Sequence, residues 1–208
     1  MPHVYPLMLD VTDRLVVVIG GGAVAVRKVG GLLDAGARRI RVVAPAFHRE
    51  MPDIVERVVA MYASHHLDGA RLVFGVSDSP AVNAQVARDA AERGIWVNRS
   101  DEGDKGDFST PAKVRDGEVV ITVSAGSAAL SAAIRDDLAA KLDRRHVKLA
   151  EAMKTLRPAV RTSEADPQRR AAIFRDLVSA EALDAISADG DAQHLKDWLR
   201  QRHPHLKI

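Results

Sequence analysis

Four acidic residues lie close together in the stretch VNRSDEGDKGDFSTPA: Asp101, Glu102, Asp104 and Asp107. A carboxylate in a partly dry cleft can act as a general base, because burial raises its pKa. The apolar run Ile95–Asn98 precedes the acids and is typical of a buried strand. The stretch is therefore either a catalytic loop or an ordinary solvated loop.

A glycine-rich turn near the N-terminus indicates phosphate binding. In VVVIGGGAVAVRK, Gly20, Gly22 and Ala25 form the G-x-G-x-x-A pattern between an apolar run and a helical pattern. The glycines permit a tight turn and a close approach of a pyrophosphate, which the helix N-terminus attracts. A purely structural turn is the alternative. The predicted dinucleotide-binding residues here are Gly20, Gly21, Gly22, Ala23, Val24 and Ala25.

The rest of the dinucleotide would meet the ends of later strands. The second apolar run ends in Ala44 and Pro45, where an acid often binds the adenosine ribose. Either backbone groups at Pro45 and Ala46 take that role, or His48 and Arg49 accommodate a 2′-phosphate, so the residues leave NAD and NADP both open. Ser77 and Asp78 complete the predicted cofactor site.

Alternating strand and helix patterns up to about residue 112 predict a Rossmann-type α/β domain with a parallel sheet. The predicted strands are Leu15–Ile19, Ile40–Ala44, Val58–Tyr62, Leu72–Val76 and Ile95–Asn98. Gly36 is expected to end the first helix, and Ser79 and Pro80 to begin the second. Because ligands bind at the carboxyl edge of such sheets, Asp101 could face a nicotinamide there. The later acids alternate with glycines and are expected to point into water.

The pattern changes after Pro111. Asp116 and Gly117 predict a turn, which is followed by a strand through Val123 and a helix from near Ser127. This helix carries apolar residues at four-residue spacing: Leu130, Ile134, Leu138 and Leu142. The predicted organisation is a dinucleotide-binding domain over 1–113, a small strand-and-helix segment over 114–145 and an all-helical region over 146–208.

Composition excludes several classes of protein. The formal net charge of +2 does not favour a nucleic-acid-binding protein. The apolar stretch LVVVIGGGAVAV is too short and too broken to span a membrane, and the N-terminus does not have the pattern of a signal peptide. The absence of cysteine suits a cytoplasmic protein, and neither cysteines nor histidine spacing predicts a resident metal site.

Three blocks of the sequence resemble the precorrin-2 dehydrogenase family, which includes the N-terminal module of the siroheme synthases. YPLMLDVTDRLVVVIGGGAVAVRKVGGLLDAGA is similar to the family's opening. LDGARLVFGVSDSPAVNAQVARDAAERGIWVN and FSTPAKVRDGEVVITVSAGSAALSAAIRDDL are similar to its later blocks. Together they cover roughly residues 5 to 140.

The resemblance implies NAD-dependent oxidation of precorrin-2 to sirohydrochlorin in siroheme biosynthesis, and in some members insertion of Fe²⁺ into the product. It implies a homodimer that exchanges its central segment, and an essential aspartate after the VN strand, which is Asp101 here. The tetrapyrrole substrate carries many carboxylates. The residues expected to bind it are Lys113, Arg115, Ser124, Gly126, Ser127 and Arg135.

The loop 124–129 departs from the family pattern, because it is shorter and lacks a proline. Two other classes of function stay open beside the dehydrogenase. A regulatory module that senses dinucleotides would need no catalytic aspartate. A protein that only inserts metal would retain the glycine turn without using it.

Overall fold

The computed structural model describes residues 4–100, 106–186 and 192–207. Its contacts divide the chain into two compact units, Met1–Thr110 and Pro111–Ile208. Across the described ranges, no helix combines the length and the apolar character that a membrane span requires.

Five of the described strands form a parallel sheet in the first unit. They are β1 (Leu15–Ile19), β2 (Arg39–Ala44), β3 (Glu56–Val59), β4 (Leu72–Gly75) and β5 (Trp96–Arg99), in the order β3-β2-β1-β4-β5. Every residue of β1 and β4 is buried, as expected for central strands that are covered on both faces. This strand order is that of a Rossmann-type sheet, with its switch point between β1 and β4. The predicted fold class is confirmed.

Two helices cover opposite faces of the sheet. On one face, Ala25 and Val29 of α1 (Ala23–Leu33) share a buried cluster with Phe74 of β4. On the other face, Val86 of α2 (Pro80–Glu92) shares a cluster with Val73. The predicted start of α2 is confirmed, because Ser79 caps the helix and Pro80 is its first residue.

The third strand begins and ends earlier than the sequence predicts. The predicted strand Val58–Tyr62 is wrong, since β3 runs over Glu56–Val59. Tyr62 leaves the sheet because its hydroxyl donates a hydrogen bond of 2.7 Å to Oδ2 of Asp89 on α2. This contact joins residues that are far apart in the chain, so a local pattern could not reveal it.

The second unit begins with an antiparallel hairpin. Its strands are β6 (Ala112–Asp116) and β7 (Val119–Val123), and Gly117 in the turn has φ +54°. The predicted turn, the strand through Val123 and the helix after Ser127 are confirmed, since α3 spans Ala128–Ala140. The predicted domain boundary after residue 113 falls inside β6, which the sequence pattern did not indicate.

The rest of the second unit is helical where it is described. The helices are α4 (Arg144–Ser163), α5 (Pro167–Asp176), α6 (Ala180–Asp184) and α7 (Ala192–Arg202). They share a buried core that includes Leu156, Ile173, Leu177 and Leu195. The described residues beyond α7 also pack on this core, since Leu206 is buried and His203 Nε2 lies 2.9 Å from Asp176 Oδ2.

Candidate functional site

The first two glycines of the turn after β1 are required by close contacts. Gly20 has φ +127°, and a Cβ there would lie 2.6 Å from the carbonyl oxygen of Val76. A Cβ on Gly21 would lie 2.0 Å from the carbonyl oxygen of Ala46. Because both obstacles are backbone atoms, the turn can lie between the segments after β2 and β4 only if these positions have no side chain.

Gly22 differs from its neighbours. It caps α1 at φ −82° without a side-chain hydrogen bond, and a Cβ there would meet nothing within 4 Å. Within the part of the chain that the structure describes, no packing contact therefore requires a glycine at this position. The first N–H groups of a helix have no partner within the helix, and its dipole favours an anion at this end. Gly22 thus leaves room for a phosphate in front of α1.

Two other predicted segments flank the glycine turn. Ala46 contacts Gly21 as described above, and His48 N donates to the carbonyl oxygen of Gly21 at 2.7 Å. On the other side, a Cβ on Gly20 would lie 2.9 Å from Ser77 N. The structure therefore brings the glycine turn, the segment after β2 and Ser77 together at the carboxyl edge of the sheet. Pro45 and Asp78 are exposed beside them.

Asn83 holds the segment after β4 in place, a role that the sequence analysis missed. Its Oδ1 accepts from Ser77 N at 3.0 Å, and its Nδ2 donates to the carbonyl oxygen of Ser77 at 2.9 Å. Asn83 is fully buried on α2. The signal in the sequence was a polar residue at a helix position that the apolar pattern assigns to the core.

The segment after β2 leaves the choice between NAD and NADP open. Ala44 is buried at the end of β2, and Ala46 turns its carbonyl group toward Gly21. The side chain of Arg49 is 88% exposed and lies 3.7 Å from Glu50. Nδ1 of His48 accepts from Glu50 N at 3.2 Å. Backbone groups and the guanidinium group of Arg49 are thus both present beside the glycine turn.

The predicted base, Asp101, lies outside the described residues, together with Glu102 and Asp104. The residues on either side of this gap are held at the end of β5. Ser100 N donates to the carbonyl oxygen of Gly75 at 3.2 Å. Gly106 lies so close to β5 that a Cβ there would be 2.9 Å from the carbonyl oxygen of Val97. The acidic loop, residues 101–107, therefore leaves the sheet at the carboxyl edge that carries the glycine turn, and its end lies alongside β5.

Asp107 is exposed, as expected, and it also has a structural role. Its Oδ2 accepts from Val97 N at 2.9 Å, and its own N–H donates to the carbonyl oxygen of Val97 at 2.8 Å. These bonds satisfy backbone groups on the outer side of β5. A sequence pattern does not distinguish such a carboxylate from a solvated one, because both lie beside glycines in a polar stretch.

The predicted substrate-binding residues lie in the second unit. Lys113 and Arg115 are exposed on alternate positions of β6 and share one face of the hairpin. The guanidinium group of Arg135 on α3 lies 2.6 Å from Asp136. Ser124, Gly126 and Ser127 are exposed between β7 and α3, and the Ser127 hydroxyl caps α3 by accepting from Leu130 N at 3.1 Å.

Ser131 fixes the shape of the short loop 124–129, and the sequence analysis missed it. The residue is buried on α3. Its hydroxyl accepts from Ala125 N at 2.9 Å and lies 2.8 Å from the carbonyl oxygen of Ser127. The loop therefore keeps a defined conformation although it lacks the proline of the family pattern.

The paired histidines after β3 are structural. His66 is buried, and Nδ1 of its ring accepts from Ala63 N at 3.0 Å. Burial lowers the pKa of His66, and the neighbouring His65 and Arg41 lower it further. In the three ranges that the structure describes, no group of three or more histidine, aspartate or glutamate side chains is arranged to hold a metal ion.

Known proteins resemble this chain in sequence. A family model described as "Putative NAD(P)-binding" matches residues 7–112. The siroheme synthase of Chromobacterium violaceum is 31% identical over 195 residues, which are 90% of this chain and 41% of that protein. The siroheme synthase of Pseudomonas aeruginosa is 33% identical over 195 residues, which are 90% of this chain and 42% of that protein. The chain thus spans about two fifths of the length of these curated relatives.

A solved structure shares the fold. The protein titled "SirC, precorrin-2 dehydrogenase" superposes with a TM-score of 0.76 and 21% sequence identity, and the match covers 95% of this chain and all of that one. The family model spans the glycine turn, all five strands of the parallel sheet and the acidic loop. Because that match covers more than half of the 208 residues, the chain belongs to this NAD(P)-binding family.

Proposed function

We propose that the chain oxidises precorrin-2 to sirohydrochlorin, with NAD as the oxidant. The observation that carries the proposal is that the glycine turn and the start of the acidic loop lie at one edge of the sheet. A dehydrogenase needs a hydride acceptor and a base close together, and this edge can provide both. The similarity to siroheme synthases and to the precorrin-2 dehydrogenase SirC supports this substrate class.

The residues of the turn fit a dinucleotide. The open position at Gly22 and the N-terminus of α1 would hold the pyrophosphate, while Gly20 and Gly21 keep the turn close to the sheet. Ser77, which Asn83 fixes, and the exposed Pro45 and Ala46 would hold the rest of the cofactor. When bound, NAD supplies the carbon that accepts the hydride.

Asp101 is the proposed base. Oxidation removes a hydride and a proton from precorrin-2, and the carboxylate would take the proton as conjugation extends around the macrocycle. Ser100, the residue before it, is bonded to the end of β4, so one peptide unit joins the base to the fixed sheet edge. A positioned base contributes about 10²-fold to 10⁴-fold to a rate.

The acidic substrate requires cations. Lys113, Arg115 and Arg135 would bind its carboxylates, and Ser124, Gly126 and Ser127 would line the loop that contacts it. The alternate exposure of Lys113 and Arg115 supports this assignment, because one face of the hairpin presents both charges. Arg135 would exchange Asp136 for a substrate carboxylate.

The active form is proposed to be a homodimer in the cytoplasm. Leu130 and Leu138 on α3 are 51% and 42% exposed, although both are large apolar residues. A second copy of the chain would cover them through the segment 114–142, which the resemblance assigns to the dimer interface. Light scattering that shows a monomer at micromolar concentration would contradict this part of the proposal.

Insertion of Fe²⁺ into sirohydrochlorin is a second candidate activity. Metal insertion requires removal of two pyrrole protons, and Asp101 could accept them in turn. The deciding experiment supplies precorrin-2 and NAD with and without Fe²⁺. Sirohydrochlorin without Fe²⁺ supports the dehydrogenase, and siroheme with Fe²⁺ supports both activities. Binding of NAD without any turnover of precorrin-2 would support a dinucleotide-sensing module instead.

Gly22→Asp tests the cofactor site. The new carboxylate would occupy the space proposed for the pyrophosphate and repel it, so NAD affinity should fall by at least about 10²-fold. The fold should survive, because a Cβ at this position meets no atom of the described residues within 4 Å. Calorimetric titration with NAD measures the loss. An unchanged affinity would refute the assignment of the site.

A further inference from the structure

Lys28 on α1 contacts the residues that follow the acidic loop. Its Nζ donates a hydrogen bond of 2.7 Å to Oγ1 of Thr110 and lies 5.2 Å from the centre of the Phe74 ring on β4. Phe74 is in edge-to-face contact with Phe108, and their ring centres are 5.3 Å apart. The ammonium group therefore lies against both the sheet and the segment 108–110.

The same segment is held from its other side by β5. Asn98 Nδ2 donates to the carbonyl oxygen of Phe108 at 2.8 Å, and Asp107 is bonded to Val97. The contribution of Lys28 is distinct, because it comes from the helix whose N-terminus bears the glycine turn. Lys28 thus links the proposed pyrophosphate site to the end of the loop that contains the proposed base.

This lysine is costly to the fold at neutral pH. The residue is half-buried, and burial lowers its pKa to about 8, with a smaller contribution from the neighbouring charge of Arg27. The folded state therefore binds the proton less tightly than the unfolded state does. A methionine of similar length would avoid this penalty.

We propose that Lys28 is a positioning residue for the acidic loop: through Thr110 it fixes the end of the loop relative to the helix that binds the cofactor. This inference rests on the proposed function, since the loop matters only if it carries the base. Lys28 would act through the loop and not on the dinucleotide. Its loss should therefore slow turnover and leave the affinity for NAD unchanged.

Lys28→Met is the first test. We expect kcat for precorrin-2 oxidation to fall by about 10-fold to 10²-fold, as for a base that is displaced by a fraction of an ångström. The dissociation constant of NAD should stay within about twofold of the original value. Lys28→Arg should recover part of the loss, because it keeps a donor and a charge. Arg27→Gln, on the exposed neighbour in the same helix, is the matched control and should leave kcat unchanged.

Two pH-dependent measurements separate a positioning role from a structural one. With the native lysine, kcat should decline as the pH rises through about 8, the value at which burial causes Lys28 to lose its proton. Lys28→Met should lack this decline. Of the described residues that contact the amine, Phe74 and Thr110 do not titrate, and Arg27 is the charge that acts on it.

As the pH rises above about 8, the stability of the native protein should increase while its kcat declines. The desolvation penalty of Lys28 is present below pH 8 and is relieved as the pH rises from about 8 toward 10.5, because the unfolded chain then binds more protons than the folded one. Lys28→Met should therefore melt at a higher temperature than the native protein at pH 7. The difference should shrink as the pH approaches 10.5.

Thr110→Val and Asp101→Ala complete the experiment. Thr110→Val removes the acceptor and keeps the shape of the side chain, so it should slow turnover as Lys28→Met does, and it decides the question if Lys28→Met fails to fold. Full activity of both variants beside an inactive Asp101→Ala would overturn the inference alone. Loss of NAD affinity in step with kcat would also overturn it. An active Asp101→Ala would overturn the proposed function and the inference together.

Discussion

The parallel sheet and the β6–β7 hairpin are both built from short strands, but they are buried to very different degrees. Every residue of β1 and β4 is buried, whereas no residue of β6 or β7 is. Helix α1 buries Ala25, Val29 and Leu32, while α3 buries only Ser131. The centre of the sheet is thus buried within one chain, whereas the helix beside the hairpin leaves Leu130 and Leu138 exposed.

This difference in burial also distinguishes the proposed cofactor residues from the proposed substrate residues. The proposed cofactor residues are positioned by backbone contacts at Gly20 and Gly21, so their geometry is set when the first unit folds. The proposed substrate residues are exposed side chains on β6 and α3, whose surroundings depend on what covers that surface. We therefore expect changes in the first unit to act on folding or on NAD binding, and changes on α3 to act first on association.

Gly21→Ala should have the largest effect on stability. Its Cβ would lie 2.0 Å from the carbonyl oxygen of Ala46, so β1 and the segment after β2 would have to separate. We expect a loss of about 3 kcal/mol or more in the free energy of unfolding, measured by urea denaturation. Gly22→Ala is the matched control and should cost about 1 kcal/mol or less, since its Cβ meets nothing. If both variants lose the same free energy of unfolding, the contact with Ala46 is not what requires a glycine at position 21.

A double change on α3, Leu130→Asp with Leu138→Asp, should weaken the proposed dimer without unfolding the chain. The two leucines are 51% and 42% exposed, so the single chain tolerates charge there, while a covered interface does not. The association free energy should fall by about 2 kcal/mol or more, measured by analytical ultracentrifugation. Val178→Asp, at a residue that is 60% exposed outside α3, should leave association unchanged. An unchanged dimer in the α3 variant would show that this surface is not the interface.

Asp107→Ala should have a smaller effect, confined to the edge of β5. The change leaves Val97 N without its carboxylate partner, which should cost about 1 kcal/mol in the free energy of unfolding. Asp107→Asn keeps an acceptor oxygen and should recover most of the loss. Thermal denaturation of both variants measures the effect. If the alanine variant is as stable as the native protein, the hydrogen bond does not contribute.

The sequence was a good guide where structure follows from local pattern. The run Leu15–Ile19 and the start of α2 at Ser79 and Pro80 were predicted correctly, because hydrophobic patterning and capping chemistry are local. The end of β3 was not, because Tyr62 is drawn to Asp89 by a tertiary hydrogen bond. Strand β6 was missed as well, since its residues alternate between partly buried and exposed without a continuous apolar run.

In the candidate site, too, local sequence pattern revealed some of the residues and not others. The glycine turn can be recognised from spacing alone, but the pattern did not show that Gly21 is required by contact with the segment after β2. Lys28 contacts Thr110 far along the chain, while Asn83 and Ser131 bond to the loops that precede their helices, and each resembles an ordinary helical residue in the sequence. Pattern thus locates the candidate cofactor site, whereas the side-chain contacts that support it emerge only from the structure.

The most direct test of the central claim is NADH formation from precorrin-2 by the native chain and by Asp101→Ala, with NAD affinity measured on both. We expect one NADH for each precorrin-2 oxidised. The rate of the variant should fall by about 10²-fold to 10⁴-fold, and its NAD affinity should be retained. Asp107→Asn, which changes another acid of the same loop, should keep the native rate. Equal rates for the native protein and Asp101→Ala would contradict the role of Asp101 as the base. No NADH from either protein would contradict the proposed oxidation of precorrin-2.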